Sequence, residues 1–480
     1  MNKNRNIISE IQTLLNDKGV NNAITCTLNT MKSLRIQDRV IGVKKNENCK
    51  FTNRQVLDVL LMFPFFNVKN ALSYEVSVLH DQFTCDKDMF YRFVNDERVN
   101  WRGISYSVFK QLYSKLSVKT MRKPEPKCLI IDDTDLQKTG FKMEKVGRVF
   151  SHVQQKSILG FKAMFLCFSD GASQFILDAS LHGEFGKNSD RPQGLTNKQL
   201  SQRYSKIRSN NIHFSQRDEE LFSGKPATAI NMIKRAMLEG VRFDYLLVDS
   251  WFTSYDLVKF IKSRHVKCHL LGMAKMGNTK YTMDGKDRNA AQIAKRLDGE
   301  GTVKYRRSIG FYSAEVTVKL QGTDVKLFFY RKKRGGEWNT LLSTDTSLDA
   351  VRAFKLYSRR WGIEVAHRDM KQILRLGKSQ CRDFAGQIAN LSLCVMQYNI
   401  LSYVRRFTSY ETLGGLFAEV SKAYVELTVA ERVWQILIEV VGIIAGELNC
   451  DPFELIQIIV SNDDRYMALT QAFGKLAAVA

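Results

Sequence analysis

The chain lacks an apolar run long enough to cross a membrane. Its most apolar stretch, VWQILIEVVGIIAG at 433–446, contains Glu439 and falls short of the roughly 20 residues that span a bilayer. The opening segment MNKNRNIISEIQTLL has neither an uninterrupted apolar core nor a small-residue cleavage site, so we expect no signal peptide. These two absences argue against a membrane partner and favour a cytoplasmic location.

Signatures of several other protein classes are also missing. The nine cysteines form no C-x-x-C pair, which suits reduced thiols rather than a disulfide framework. No G-x-x-x-x-G-K-[ST] segment occurs, so we expect neither a P-loop ATPase nor a nucleotide cofactor. His265 and His269 flank Cys268 at a spacing that suggests zinc. The segment is predicted to be a strand, however, in which residues i and i+4 lie too far apart to share an ion.

Acidic residues are in deficit. The 480 residues include 72 Lys and Arg against 49 Asp and Glu, which gives a net charge of +23 at pH 7. An excess of this size favours a polyanionic partner, and because a membrane surface is disfavoured, we expect nucleic acid. The 44% hydrophobic and 25% charged residues are typical of a globular chain with a sizeable core, and the length predicts about three domains.

Helical patterns dominate both ends of the chain. Residues 1–120 carry apolar residues at helical spacing, and DKDMFYRFVN at 86–95 predicts a short helix that contains Arg92. We predict that this region binds DNA as a helix-turn-helix type of module, with Arg92 among its contacts. The alternative is that its aromatic residues are core and its basic residues a solvated face. Residues 376–480 are again predicted to be helical.

The middle of the chain alternates strands and helices. The predicted strands are 128–132, 160–168, 173–181, 243–249 and 266–274, with helices at 226–239 and 254–264. This is the element order of a ribonuclease-H-like domain, although the pattern alone establishes only a mixed α/β (α+β) fold. Residues 276–345 break the order with polar alternating runs, and we predict a mostly β insertion there. The catalytic domain is then predicted to comprise residues 125–275 and 346–375.

Two aspartates stand where an apolar strand run stops, Asp132 after CLII and Asp249 after YLLV. A carboxylate at a strand end points into a crevice, which suits a metal ligand, although an Asp in this position is often only a turn residue. Asp133 competes with Asp132 for the first position. Alternation along the strand would send Asp133 to the opposite face, and we favour Asp132.

A third carboxylate comes from a predicted continuous helix at 348–374. At about 100° per residue, one face of this helix presents Tyr357, Arg360, Glu364, Arg368 and Lys371. A solvated, salt-bridged face is the ordinary explanation of such a charge run. Here the cations outnumber the acid, and Trp361 and Ile363 lie on other sides, which predicts that much of the helix is buried. A carboxylate surrounded by cations suits phosphate and metal together.

These segments resemble the bacterial insertion-sequence transposases of the DDE class. The spacing Tyr357-x2-Arg360-x3-Glu364-x6-Lys371 matches the Tyr-Arg-Glu-Lys signature of that family without departure. IIDDTDLQKTG at 130–140 resembles its first-Asp block, and YLLVDSWFTS at 245–254 resembles its second. The family's usual Asp-x-Thr form of the first block selects Asp132. The resemblance spans about residues 128–375 and implies a ribonuclease-H-like catalytic core with a β insertion before the final Glu.

The resemblance also implies a chemistry. Asp132, Asp249 and Glu364 would hold two Mg²⁺ or Mn²⁺ ions that support in-line displacement at phosphorus by water or a DNA 3′-hydroxyl. The signature-helix residues expected to bind DNA are Tyr357, Arg360, Arg368 and Lys371. In the insertion, Trp338 would stack on a flipped base or else belong to a hairpin core. The turn residues Lys332, Lys333 and Arg334 would grip the DNA backbone or else form a solvated basic turn.

We therefore predict a bacterial, nucleoid-associated cut-and-paste transposase. It would bind terminal inverted repeats as a homodimer in a synaptic complex, cleave the transposon ends and join them to target DNA, with helices after residue 375 contributing to the dimer. One alternative is a transposase-derived DNA-binding protein without catalysis, against which the intact triad argues. The other is a ribonuclease-H-like structure-specific nuclease, which would cut without inverted repeats and would not join strands.

Overall fold

The structure, a computed structural model, describes residues 22–45, 48–117, 125–407, 412–419 and 444. The chain divides into two compact units, one of residues 1–33, 48–90 and 407–480 and the other of residues 34–47 and 91–406. The expectations for residues 1–21 and for most of 376–480, including the contribution to a dimer, lie outside the described residues. Within those ranges, no helix is long and apolar enough to cross a membrane.

The N-terminal part of the chain is helical where it is described. Its helices are α1 (Asn22–Lys32), α2 (Asp38–Ile41), α3 (Asn53–Met62), α4 (Ala71–Tyr74), α5 (Val78–Gln82), α6 (Lys87–Val94) and α7 (Trp101–Ser117), with a 3₁₀ turn at Phe63–Phe66. In the first unit, the rings of Phe63, Tyr74 and Phe90 pack together with centroids 4.7–5.7 Å apart. Phe90 is therefore core, whereas Tyr91 is 43% exposed.

The second unit contains a twelve-stranded mixed sheet. Its first strands are β1 (Cys128–Gln137), β2 (Gly147–Ser151), β3 (Lys156–Ser169), β4 (Gln174–His182), β5 (Tyr245–Val248) and β6 (His269–Ala274). β3 pairs antiparallel with β1, β2 and β4. β5 pairs parallel with β1, and β6 pairs parallel with β5. An antiparallel β4-β3-β1 group continued by two parallel strands is the ribonuclease-H-like topology, which confirms the predicted fold class.

The helices of this core follow the predicted order, with additions. They are α8 (Asn197–Ser201), α9 (Ile212–Phe222), α10 (Lys225–Leu238) and α11 (Tyr255–Ile261), preceded by a 3₁₀ turn at Pro192–Gly194. Helix α8 and the start of α9 were not predicted, because the few apolar residues of the polar stretch 186–216 give no clear helical period. Thr196 begins α8 with a capping box, in which its side chain accepts from the Gln199 amide and the Gln199 side chain accepts from the Thr196 amide.

The insertion extends the same sheet. Its elements are β7 (Lys280–Met283), β8 (Lys286–Asn289), α12 (Ala290–Gly299), β9 (Lys304–Arg306), β10 (Phe311–Leu320), β11 (Thr323–Arg331) and β12 (Asn339–Ser343). β12 pairs antiparallel with β6, and the order continues β12-β11-β10-β7-β8. The prediction of a mostly β insertion is confirmed.

The signature helix is not continuous as predicted. It consists of α13 (Ala350–Tyr357), a 3₁₀ turn at Ser358–Arg360 and α14 (Trp361–Gln372), and α15 (Phe384–Arg406) follows. A 3₁₀ turn winds about 3.0 residues per turn instead of 3.6. Residues after Arg360 are therefore rotated together relative to Tyr357 and the residues before it, while Glu364, Arg368 and Lys371 keep their positions relative to one another.

A buried ion-pair network fixes four elements of the core around Asp178 on β4. The Asp178 carboxylate accepts from Arg102 of α7 at 2.9 Å and from Arg235 of α10 at 2.8 Å, and Arg102 also pairs with Glu220 of α9 at 2.7 Å. Burial alone would raise the pKa of Asp178, but the neighbouring arginines hold it below its ordinary value. The network thus places complementary charges where an unpaired one would be costly.

Candidate active site

Strand register brings two carboxylates together. β1 and β5 run parallel, and Ile131 is paired with Val248. The residues that follow this pair, Asp132 and Asp249, therefore lie side by side. We predicted that Asp132 would lie at the end of its strand. It does not, because β1 continues to Gln137 by pairing with β3. It lies just beyond the β1–β5 pairing, where burial along β1 falls from full to partial.

Asp249 is held by the turn that follows it. Its Oδ1 accepts hydrogen bonds from the backbone amides of Trp251 at 2.9 Å and Phe252 at 3.2 Å. The Thr253 hydroxyl donates to the Asp249 carbonyl at 2.8 Å, and Phe252 is only 2% exposed. Oδ1 accepts both of these hydrogen bonds, so Oδ2 is the carboxylate oxygen that is oriented for another ligand.

Arg360 joins the first carboxylate to the third. Its Nη1 donates to Asp132 Oδ2 at 3.2 Å, and its Nη2 donates to Glu364 Oε1. The side chains of Arg360, Asp132 and Glu364 are 17%, 15% and 34% exposed, so the guanidinium lies between the two acids in a partly buried place. Together with the β1–β5 register, this contact gathers Asp132, Asp249 and Glu364 in one site.

The electrostatics of Asp132 reflect this crowding. Burial raises its pKa to about 7; Arg360 opposes this shift, and Asp249 adds a smaller raising contribution. For Arg360, burial would lower the pKa, but Tyr357 and the neighbouring carboxylates outweigh it, and the pKa is raised. An acid with such a raised pKa is stabilised as the carboxylate by any additional cation placed beside it.

Two more signature residues fasten the helix to the sheet. The Tyr357 hydroxyl donates to the Val248 carbonyl at 3.2 Å, and burial raises the pKa of Tyr357 to about 12. Lys371 Nζ donates to the Thr134 hydroxyl at 2.6 Å, and burial lowers the pKa of Lys371 although Asp135 opposes the change. Tyr357, Arg360 and Lys371 thus all contact the strand residues that surround the carboxylates.

Arg368 follows Glu364 by four residues on α14, and its role in DNA binding stays a prediction. Its side chain is 57% exposed and donates to its neighbour Asp369 at 3.2 Å. Trp361, expected on a buried side, is 65% exposed. The 3₁₀ turn before α14 rotates Trp361 relative to Tyr357, but it leaves Glu364, Arg368 and Lys371 in the same positions relative to one another.

The competing acid Asp133 lies in a different environment from Asp132. Its carboxylate forms an ion pair with Lys225 at the start of α10.

His367, one turn after Glu364, is 6% exposed, and burial lowers its pKa to about 3. Its Nε2 has no hydrogen-bond partner within the described ranges. Sequence reasoning missed Lys225 and His367, although the position of His367 one turn beyond Glu364 was a usable signal.

The insertion residues occupy the turn between β11 and β12. Lys332, Lys333 and Arg334 are exposed. Trp338 is half-buried, with the Arg331 guanidinium 4.2 Å from its ring centroid and the Phe329 ring 6.1 Å away. Arg331 is itself held by Asp298 at 2.6 Å. One side of the Trp338 ring is therefore occupied by protein, as in the hairpin-core alternative.

Arg92 is exposed at the edge of a groove of about 660 Å³. The groove is lined by Tyr91, Arg92, Asn95, Asp96, Glu97, Arg98, Tyr204, Lys206, Ser209 and Asp383. Three basic and three acidic side chains balance in this lining, which gives the groove no net charge of its own for attracting a polyanion.

The donor set of the three carboxylates is the one that Mg²⁺ and Mn²⁺ take, since it offers only oxygen. As the side chains stand, no three Asp, Glu, His or Cys groups in the described part of the chain are close enough together to hold an ion. Arg360 lies between Asp132 and Glu364. The residues fit a hard divalent cation by chemistry, and Arg360 is the group with which that cation would compete.

Comparison with known proteins identifies the family. Residues 223–400 match a family model described as "Transposase DDE domain", and residues 77–270 match one described as "DDE superfamily endonuclease". Between them, these matches contain Asp132, Asp249 and Glu364. No curated protein matches.

Two solved structures are distantly similar. One is a piggyBac transposase synaptic complex with hairpin DNA, at 13% identity and a TM-score of 0.42, covering 85% of this chain and 81% of that one. The other is the NurA nuclease from Sulfolobus solfataricus, at 11% identity and a TM-score of 0.24, covering 59% of this chain and 85% of that one. It is the two family matches, which together run from residue 77 to residue 400, that identify the chain as a member of the DDE transposase family.

Proposed function

We propose that this transposase-like nuclease is a cut-and-paste transposase whose catalytic carboxylates are Asp132, Asp249 and Glu364. The observation that carries the proposal is that the three acids, far apart in sequence, lie near one another around the carboxyl end of β5. Register places Asp132 beside Asp249, and Arg360 connects Asp132 to Glu364. A strand end in a ribonuclease-H-like sheet is where ligands of α/β proteins bind.

The three carboxylates are proposed to hold two Mg²⁺ or Mn²⁺ ions. Metal bound there would activate the attacking oxygen and stabilise the leaving oxygen of an in-line displacement at phosphorus. Asp249 is already oriented for this role by the two backbone amides on its Oδ1. Arg360 would leave Asp132 and Glu364 as a cation takes their oxygens, and its guanidinium would then bind a DNA phosphate.

DNA is the proposed substrate, both as transposon ends and as target. The net charge of +23 supports a polyanionic partner. Tyr357, Arg360 and Lys371 would contact the end near the carboxylates, while the exposed Arg368, Arg92, Lys332, Lys333 and Arg334 would contact phosphates further away. We propose that residues 1–120, which the sequence predicts to be helical, form the module that recognises inverted repeats. A homodimer would hold two transposon ends in a synaptic complex, and the protein would be associated with the nucleoid.

The experiment uses the purified full chain and linear DNA that carries the sequences flanking its gene. Incubation with Mg²⁺ should release the ends with 3′-hydroxyls and join them to a second DNA. Asp249→Asn and Glu364→Gln should abolish both products while DNA binding stays measurable, because each removes one carboxylate and leaves the basic surface intact. Wild-type cleavage without joining would indicate a nuclease instead, and binding without cleavage a DNA-binding protein. Cleavage retained by either variant would refute the assignment of the site.

A further inference from the structure

Trp251 combines high exposure with a position next to a candidate catalytic acid. It follows Asp249 by two residues, and its side chain is 56% exposed. A large aromatic ring left in water forgoes the free energy of burial, so its exposure is informative where it adjoins a ligand site. Phe252, the next residue, is 2% exposed.

Two lysines place positive charge around this ring. Lys275 Nζ lies 5.5 Å from the Trp251 ring centroid, and Lys225 Nζ lies 5.9 Å from it. Both distances are within the roughly 6 Å range of cation–π attraction. Lys225 is also paired with Asp133, whereas Lys275 is exposed and has no ion pair within the described residues. An aromatic face with a free ammonium beside it suits a nucleobase together with its phosphate.

The turn that carries Trp251 is fixed before any ligand arrives. The backbone amide of Trp251 donates to Asp249 Oδ1 at 2.9 Å, and the Thr253 hydroxyl donates to the Asp249 carbonyl at 2.8 Å. Buried Phe252 anchors the turn to the core, and its neighbour Trp251 faces solvent. A ring held in this way loses little conformational entropy when a base stacks on it.

The other tryptophans in the described part of the chain are less suited. Trp101 is 4% exposed. Trp338 has the Arg331 guanidinium packed on its ring at 4.2 Å, closer than the 5.5 and 5.9 Å that separate the two lysines from the Trp251 ring. Trp361 is 65% exposed and precedes Glu364 by three residues, but no lysine or arginine lies over its ring within the described residues. Trp251 is the one that joins exposure, a flanking cation and a direct hydrogen bond to a triad residue.

We propose that Trp251 is a stacking platform for an unpaired base of the DNA strand next to the cleavage site, with Lys275 binding a neighbouring phosphate. This inference rests on the proposed function and deepens it, since it specifies that the site takes DNA with a base out of the duplex. It also assigns base stacking to the turn after β5 instead of to Trp338 in the insertion.

The test measures binding of two single-stranded probes to the full chain in a chelating buffer. One probe is a labelled oligothymidylate, and the other is an abasic oligomer of the same length. One stacked base is worth roughly a 5- to 150-fold change in affinity, so the wild type should prefer the oligothymidylate by a factor of that order. Trp251→Ala and Trp251→Leu should bind both probes alike, and Trp251→Phe should keep most of the preference. Lys275→Ala should weaken both probes and reduce the logarithmic salt slope by about 0.7.

Tyr305→Ala is the matched control, because Tyr305 is 52% exposed in the insertion, and it should keep the wild-type preference. The inference is overturned if Trp251→Ala retains the preference for bases, if it weakens both probes equally, or if Trp361→Ala abolishes the preference while Trp251→Ala does not. These binding measurements need neither metal nor cleavage. Failure of the wild type to cut DNA would therefore refute the proposed function and leave the stacking result standing, whereas cutting by a wild type without base preference would refute only the stacking.

Discussion

Removing Arg360 should affect metal binding and DNA cleavage in opposite directions. The guanidinium occupies one oxygen of Asp132 and one of Glu364, and both oxygens are proposed metal ligands. A divalent cation must displace it, so Arg360→Ala should bind metal more tightly. The same substitution removes a proposed phosphate contact, so cleavage at saturating metal should become slower.

The size of the first effect follows from the contacts. A hydrogen bond to a charged group contributes about 1.5–3 kcal/mol, and Arg360 makes one to each acid. The Glu364 side chain is 34% exposed, so solvent screening weakens its bond, and we count about one full bond in total. Loss of about 1.5–3 kcal/mol of competition corresponds to roughly 10- to 150-fold tighter binding. Mutual repulsion of the acids, no longer neutralised, acts in the same direction.

The assay is Mn²⁺ binding, followed by the paramagnetic resonance of free Mn²⁺, in the wild type and two variants. Arg359→Ala is the matched control. Arg359 is 21% exposed, donates to the Pro126 carbonyl at 2.9 Å and pairs with Glu125, so its loss removes the same charge without freeing a triad oxygen. Its Mn²⁺ affinity should stay within about twofold of the wild type, since its charge is already paired with Glu125. Unchanged or weaker Mn²⁺ binding by Arg360→Ala would show that Arg360 does not compete with the cation for Asp132 and Glu364.

Two further predictions concern stability. Asp178→Ala should lower the free energy of unfolding, measured by urea titration, by about 3–5 kcal/mol, because it leaves buried arginines without their acid. The control is Glu239→Gln, which breaks the ion pair between Lys110 and Glu239, whose side chains are 48% and 39% exposed. This substitution should lower the free energy of unfolding by less than about 1 kcal/mol. Equal losses in the two variants would contradict the role of burial. Burial lowers the pKa of His367 from 6.5 to about 3, so its contribution to stability is present above pH 6.5 and is lost as pH falls toward 3, by about 1.4 kcal/mol per pH unit. His367→Phe should flatten the pH dependence of unfolding by that slope, and an unchanged slope would show that this histidine ionises in the folded protein.

Much of the catalytic core was predictable because its signals are local. Strands β3, β4, β5 and β6 are apolar or β-branched runs, and α10 and α11 carry helical periods between them, so the element order could be recognised. The spacing of Tyr357, Arg360, Glu364 and Lys371 also depends on nearby residues only. The ribonuclease-H-like topology then follows from that order, since parallel strands require crossover connections.

The contacts that assemble the site depend on residues distant in sequence. Nothing local to Asp132 predicts that Ile131 pairs with Val248 or that β1 continues to Gln137 along β3. Arg360 lies 228 residues after the carboxylate it bonds. Such pairings are set by sheet assembly, so the sequence could name the three acids but could not show how they meet.

The break in the signature helix had no strong sequence signal. No proline interrupts 348–374, and the assumption of a uniform wheel placed Trp361 incorrectly. Gly362 was the available hint. A Cβ atom there would lie 1.5 Å from the Gln174 side-chain nitrogen, so the Gln174 side chain packs directly against α14 at this glycine. Packing of the helix N-terminus against β4 places Trp361 outward.

The central claim is that Asp132, Asp249 and Glu364 act together and that Asp133 does not. Its most direct test is the single-turnover rate of Mg²⁺-dependent DNA cleavage by four variants that each lose one carboxylate: Asp132→Asn, Asp133→Asn, Asp249→Asn and Glu364→Gln. We expect no measurable cleavage by the three triad variants and substantial cleavage by Asp133→Asn, whose carboxylate is paired with Lys225. Wild-type cleavage by any triad variant, or an inactive Asp133→Asn beside an active Asp132→Asn, would contradict it.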